Sequence, residues 1–159
     1  MELSLGQVLA LFGAALSAAL AGMGSAKGVA LAGQTSAGVT SESPELNSKM
    51  MILQILPGTQ GIYGFLIGVM ILISTNALGG EMKAVEVGQG LAFIAAALPI
   101  GLVGLFSAIH QGKVAAAGML LVGQHPEMSG KAITMTVMVE TYAVLALLVS
   151  FLIYNSVKL

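Results

Sequence analysis

The chain has 159 residues, of which 57% are hydrophobic and only 8% are charged, and its mean hydropathy is +0.95. Soluble domains carry about 25% charged residues, so this composition excludes a soluble domain and indicates an integral membrane protein. The net charge of -1 excludes a nucleic-acid partner bound by phosphate attraction, the lack of arginine excludes bidentate anion clamps, and the lack of cysteine excludes disulfides.

Four apolar segments are long enough to cross a bilayer, which takes about 20 helical residues. Pro44, the Gly79–Gly80 pair and Pro126 mark the turns between them. We therefore predict an all-α membrane protein whose four transmembrane helices form two tandem helical hairpins in a single membrane domain. The predicted helices are Leu5–Gly38, Asn47–Thr75, Val85–Val122 and Gly130–Tyr154.

The two halves of the chain, residues 1–80 and 81–159, resemble each other at an offset of 82 positions. Weak internal similarity of this kind is typical of duplicated membrane repeats. Each half has an even number of helices, so both hairpins insert in the same orientation. The offset aligns Ser25 with Ser107, Pro44 with Pro126, Glu45 with Glu127, Lys49 with Lys131, Thr59 with Thr141 and Gly58 with Glu140.

The first and third helices carry many small residues, whereas the second and fourth are richer in Leu, Ile, Met and Val. Small residues let helix backbones approach closely inside a membrane. Because they cover more than one face of each helix, we expect a tightly packed multimer with the first and third helices inside. The alternative is ordinary pairing of four helices within a monomer.

The lysines predict the orientation of the chain. Cytoplasmic loops carry an excess of positive residues, so this distribution predicts a multi-pass protein of the cell membrane with cytoplasmic hairpin turns and both termini outside. Four lysines lie on the side of the hairpin turns and two on the other side: Lys27, Lys49, Lys113 and Lys131 against Lys83 and Lys158.

Glu140 is the one carboxylate that a bilayer would bury. No other charged residue lies between Lys131 and Lys158, and the remaining glutamates lie at the N-terminus or near predicted turns and helix ends. A charge at the centre of a bilayer costs about 3 kcal/mol or more, so an intramembrane carboxylate predicts a functional site.

Neutral oxygen groups are expected at the same depth as Glu140. Helical geometry places Gln111 of the third helix at that level, and the duplication places Thr59 and Gln60 there. One carboxylate among several uncharged oxygens suits Na⁺ stripped of its water better than a proton, which needs fewer partners. Tyr63 could donate to Glu140 or could be a packing aromatic, and Thr59 alone could bond within its own helix.

The motifs LPGTQGIYGF, FSAIHQGKVAAAG and MVETYA together resemble the rotor-ring proteolipid, or c/K subunit, of bacterial V-type Na⁺-transporting ATPases. The resemblance covers nearly the whole chain. It implies a Na⁺ site built from the Leu56 carbonyl and the side chains of Thr59, Gln60, Gln111 and Glu140. It also implies a hydrogen bond from Tyr63 to the glutamate.

The resemblance implies a non-catalytic subunit and no organic cofactor. Identical copies would form a ring in membrane lipid, beside a stator subunit that carries an arginine. Central-stalk subunits would meet the cytoplasmic hairpin turns, and a separate soluble head would hydrolyse ATP. Glu140 would release Na⁺ near the stator and reload from the other side of the membrane.

Two other functions stay open at this stage. A ring of the same architecture could carry H⁺ in place of Na⁺. A small proton-coupled multidrug exporter also has four helices and a membrane glutamate, but it needs aromatic walls to hold flat cations. This chain has no tryptophan and only 5% aromatic residues, which disfavours the exporter.

Overall fold

A computed structural model describes residues 3–159 of the chain, so Glu2 lies outside the described residues. Four helical segments are long and apolar enough to cross a membrane, and the predicted all-α, four-span fold class is confirmed. Five α-helices are numbered here in chain order: α1 Leu5–Glu42, α2 Asn47–Ile55, α3 Thr59–Ser74, α4 Val87–Gln124 and α5 Ser129–Ser156. Three 3₁₀ turns complete the spans: Pro44–Leu46, Leu56–Gly58 and Pro126–Met128.

Helices α1 and α4 end later than the sequence predicted. We expected the first helix to stop at Gly38, but it continues through Glu42 because the polar residues beyond Gly38 still complete helical hydrogen bonds. It stops at Ser43 because a residue before proline is pushed into an extended conformation. Ser43 has φ −136° and ψ 77°, and His125 before Pro126 has φ −136° and ψ 80°.

Both long helices begin with the same reciprocal cap. Ser4 Oγ accepts a bond from the Gln7 backbone N–H (3.3 Å), and Gln7 Oε1 accepts one from the Ser4 N–H (2.8 Å). The Glu86 and Gln89 side chains make the equivalent cap of α4. Such a box satisfies two of the free N–H groups at a helix start. The third span therefore begins at Val87, two residues after the predicted start.

The structure carries the 82-residue repeat in its backbone. Helices α1 and α4 each have 38 residues, and their first residues, last residues and following 3₁₀ turns are all 82 positions apart. The outer spans break the repeat. The second span consists of α2 and α3 joined by Leu56–Gly58, whereas the fourth span runs without interruption from Ser129 to Ser156.

Helices α1 and α4 pack along their small residues. A Cβ on Gly24 would lie 2.5 Å from Leu105 Cα, and one on Gly112 would lie 2.5 Å from Gly28 Cα. Any larger side chain at these two positions would force the backbones apart, which is the role that small residues have between membrane helices.

Two apolar clusters lie on either side of the middle of the bundle. Toward the hairpin turns, Met50, Leu53 and Met119 are fully buried. Toward the opposite end, Ile67 and Phe93 are at most 1% exposed. The residues of each span that separate the two clusters include the polar side chains described next.

Candidate ion-binding site

Three helices bring the predicted polar residues together between the two apolar clusters. Helix α3 supplies Gln60 and Tyr63, helix α4 supplies Gln111, and helix α5 supplies Glu140. Gln60 and Gln111 are fully buried, and Glu140 is half-buried. The expected layer of polar groups is therefore a connected network in the structure.

Glu140 holds one hydrogen-bond donor on each carboxylate oxygen. The Tyr63 hydroxyl donates to Oε1 at 2.6 Å, and the Gln111 amide nitrogen Nε2 lies 3.5 Å from Oε2. The Tyr63 bond is short, whereas the Gln111 contact lies at the outer limit of a hydrogen bond. The sequence left two interpretations of Tyr63, a donor to Glu140 or a packing aromatic. The structure has the hydrogen bond to Glu140.

The two glutamine amides bond to each other across α3 and α4. Gln60 Nε2 donates to Gln111 Oε1 at 2.5 Å, and Gln111 Nε2 donates to the Thr136 carbonyl at 3.1 Å. An unpaired amide in an apolar interior costs about 1–3 kcal/mol, so these bonds hold both side chains in defined positions.

Thr59 and Leu56 complete the network on the side of the second span. The Thr59 hydroxyl donates to the Leu56 carbonyl at 3.0 Å and lies 3.3 Å from Gln60 Oε1. Pro57 has no N–H for the helical ladder, and the backbone tightens into the 3₁₀ turn Leu56–Gly58 at this point. Thr59 thus bonds within its own segment and also contacts the amide layer.

Two groups in the network were missed by the sequence reasoning. From the sequence, Ser107 was identified only as the equivalent of Ser25 in the repeat, but its hydroxyl donates to the Val139 carbonyl (3.1 Å) and lies 3.4 Å from Gln60 Nε2. Its position four residues before Gln111 on the same helix face was a usable signal. The Thr136 carbonyl carried no signal, because a backbone acceptor is found only from the packing.

Imidazole and thiolate ligands do not contribute to this site. His110 is exposed although it neighbours the buried Gln111, and the chain has no cysteine. No group of three or more His, Cys, Asp or Glu residues that could hold a metal occurs among residues 3–159. The donor set is one carboxylate with neutral oxygens, which suits hard cations over zinc or copper.

The sequence matches the family of the ATP synthase C subunit at residues 12–71 and again at residues 94–153. These segments begin 82 positions apart, which is the offset of the internal repeat. The chain is 49% identical to the V-type sodium ATPase subunit K of Enterococcus hirae over 118 residues, covering 74% of this chain and 72% of that protein. It is 37% identical to the A-type ATP synthase subunit K of Methanocaldococcus jannaschii over 146 residues, which cover 92% of this chain and 61% of that protein.

The chain belongs to the ATP synthase C-subunit family. This confirms the family resemblance drawn from the three motifs. Proteins of this family are non-catalytic rotor proteolipids of rotary ATPases and form rings of helical hairpins, so this chain is a multi-pass membrane subunit of such a ring.

Proposed function

We propose that the chain is the rotor-ring proteolipid of a V-type Na⁺-transporting ATPase and carries one Na⁺ per copy at Glu140. The observation that supports this most is the contact between the Glu140 carboxylate and the fully buried amide of Gln111, which also accepts a hydrogen bond from the fully buried Gln60. A site for a proton needs only the carboxylate and one further partner. The Enterococcus hirae relative is named as a sodium ATPase subunit, which supports the same ion.

The ion ligands in this proposal are the Leu56 carbonyl and the side chains of Thr59, Gln60, Gln111 and Glu140. Amide oxygen and nitrogen have nearly the same shape, so a half-turn of the Gln111 amide presents its oxygen to a cation beside Glu140. The Tyr63 hydroxyl is a supporting donor that holds the carboxylate in place and compensates part of its charge.

The physical role of the ion is to neutralise Glu140. An ionised carboxylate without a cation faces lipid only at a high cost in free energy. A carboxylate paired with Na⁺ is neutral and can cross the lipid-facing arc of a turning ring. Release then requires a competing positive group, for which a stator subunit with an arginine is the proposed partner.

Val137, Thr141 and Val144 line an apolar groove beside Glu140, so the carboxylate is approachable from the outside of the bundle.

The proposed orientation has both hairpin turns in the cytoplasm, against central-stalk subunits, and both termini outside. The lysine distribution supports it through the positive-inside rule. Lys49 reaches from one turn segment to the other and donates to the Pro126 carbonyl at 2.8 Å, so the two turns form one connected surface.

Carbodiimide labelling of the purified ring tests the ion. The reagent should modify Glu140 faster at lower pH, because it reacts with the protonated acid. Added NaCl should slow the modification at fixed pH, while KCl at equal ionic strength should not. Peptide mapping identifies the labelled residue. If NaCl leaves the rate unchanged at every pH, the ring carries H⁺ and the sodium proposal is wrong.

A native mass measurement tests the remaining alternative. A dimer would favour the small multidrug exporter, whereas a large ring excludes it. The exporter also requires aromatic walls around a flat cation. Tyr63 is the aromatic residue that contacts Glu140, and it does so through its hydroxyl.

A further inference from the structure

Helix α3 begins in the middle of a membrane span, after a residue that cannot cap it. The span runs from Pro44 to Ser74, and α3 starts at Thr59, with Gly58 in the capping position. Glycine has no side chain that could accept a bond from the helix start. The first four N–H groups of an α-helix have no acceptor within the helix, so those of α3 need acceptors from other parts of the chain.

Ser25 of α1 supplies one of these acceptors. Gly61 is the third residue of α3, and its N–H donates to the Ser25 hydroxyl oxygen at 2.8 Å. Ser25 is only 8% exposed. The absence of a side chain at Gly61 permits this approach, since a Cβ there would lie 3.1 Å from Ser25 Oγ. Helix α1 therefore caps a helix that belongs to another span.

Helix α1 also contacts the other end of the interrupted turn. Pro57 packs against Gly28, where an added Cβ would lie 2.8 Å from Pro57 Cβ. Ser25 and Gly28 are three residues apart, so they lie one turn apart on the same face of α1. The segment between the two contacts is Gly58–Gln60, which includes two of the proposed ion ligands. Helix α1 thus holds this segment at both ends, although it provides no ligand itself.

The second hairpin has a serine at the equivalent position, and there it acts as a donor. Ser107 is the repeat equivalent of Ser25, and its hydroxyl donates to the Val139 carbonyl at 3.1 Å. Val139 is the equivalent of Pro57 and directly precedes Glu140. Helix α5 is continuous at this point, so its N–H groups are bonded within the helix and the serine bonds to a carbonyl. Each inner helix therefore fixes the backbone beside the site through one serine.

We propose that Ser25 is a positioning residue of the ion site. Its hydroxyl fixes the first turn of α3 and thereby holds Thr59 and Gln60 where they can coordinate Na⁺. Groups that orient the ligands of a metal ion contribute strongly to its affinity. The inference rests on the proposed Na⁺ site, and it adds α1 to the three helices that form the site.

Carbodiimide labelling of Glu140 in the intact ring tests this role. Ser25→Ala removes the acceptor of the Gly61 N–H, so the first turn of α3 should loosen. The NaCl concentration that halves the labelling rate should rise about 10-fold, the lower end of the loss expected for a group that orients a metal ligand. The pH midpoint of labelling without Na⁺ should stay the same, because Ser25 bonds to the Gly61 backbone and not to Glu140.

Ser150→Ala is the matched control. Ser150 is fully buried in α5 and accepts a bond from the Ile100 N–H at 3.0 Å, directly after Pro99 of α4. It thus supports a backbone N–H near a proline, as Ser25 does, but it lies ten residues after Glu140, about 15 Å along α5. Both variants should lower the fraction of rings that survive warming in detergent. Only Ser25→Ala should raise the NaCl midpoint.

Should Ser25→Ala fail to assemble, Ser25→Cys keeps a side chain of similar shape with a weak acceptor, and it should raise the NaCl midpoint in the same direction. An unaltered midpoint in the assembled variant would overturn the proposed role of Ser25. Equal shifts in the Ser25 and Ser150 variants, or an equal shift of the pH midpoint, would also overturn it, because the effect would then be general. Absence of NaCl protection in the unaltered ring would overturn the Na⁺ proposal, and this inference with it.

Discussion

The first and second hairpins have the same inner helix and different outer helices. Helices α1 and α4 agree in length, in their starting cap and in the extended residue before proline. The outer span of the first hairpin is interrupted at Leu56–Gly58, and that of the second runs unbroken past Glu140. At equivalent positions the first hairpin has Gly58 and the second has Glu140.

This difference shows how a duplicated unit can divide one site between its copies. The interrupted span provides Thr59, Gln60 and Tyr63, which are uncharged, and the continuous span provides the charge. The inner helix of the second hairpin joins them through Gln111, where the first hairpin has Val29. Each hairpin alone lacks half of the network, so the site exists only in their contact.

The largest expected effect comes from removing the charge that distinguishes the second hairpin. Glu140→Gln should reduce Na⁺ transport to background and abolish carbodiimide labelling, because a neutral amide cannot pair with the cation. Ring assembly should persist, since the amide keeps the shape and can still accept from Tyr63. Glu81→Gln makes the same chemical change at an exposed residue at the opposite end of the bundle from the hairpin turns and should transport normally. Loss of the ring in Glu140→Gln would assign the carboxylate a structural role.

An intermediate effect is expected when the inner helix of the second hairpin is made like that of the first. Gln111→Val copies Val29 and removes the amide that joins Gln60 to Glu140. Sodium affinity, measured as the concentration that halves the labelling rate of Glu140, should weaken about 5- to 150-fold, as for loss of about 1–3 kcal/mol.

The control for Gln111→Val is Val103→Thr, an exchange of similar size on the same helix outside the network. Val103→Thr should keep its sodium affinity. If Gln111→Val also binds sodium as the unaltered protein does, Gln111 does not belong to the site.

The smallest effect is expected at Thr59, whose equivalent in the repeat is Thr141. Thr59 donates to Leu56 O at 3.0 Å and Thr141 to Met138 O at 2.8 Å, so each bonds within its own helix in the same way. Only Thr59 also contacts Gln60. Thr59→Val should weaken sodium binding about 2- to 10-fold, the value of one modest hydrogen bond.

Thr141→Val should leave sodium binding unchanged, although it removes the same kind of hydroxyl. Thr141 is exposed beside Glu140 on the outer face of α5. If both variants weaken binding equally, the effect comes from the general polarity of the span. The proposed role of Thr59 would then be wrong.

Much of the fold was predictable because it follows from local rules. Apolar length predicted the four spans, and Pro44 and Pro126 predicted the turns. The end of α1 was displaced by four residues and both ends of α4 by two, because capping and proline geometry act on single backbone groups. Ser4 and Glu86, which begin α1 and α4, carried the cap signal together with the glutamine three residues later.

A duplicated four-span membrane protein with one intramembrane carboxylate could be predicted from the residues alone, because bilayer thickness and the cost of burying a charge act on each segment separately. The groups that contact this carboxylate became known only from the packing of the helices. Gln111 contacts Glu140 and Gln60 at once because glycines let α1 and α4 pack closely and α3 lies against α4. The contacts of this network join residues up to 77 positions apart in the sequence, so they depend on how the helices pack together.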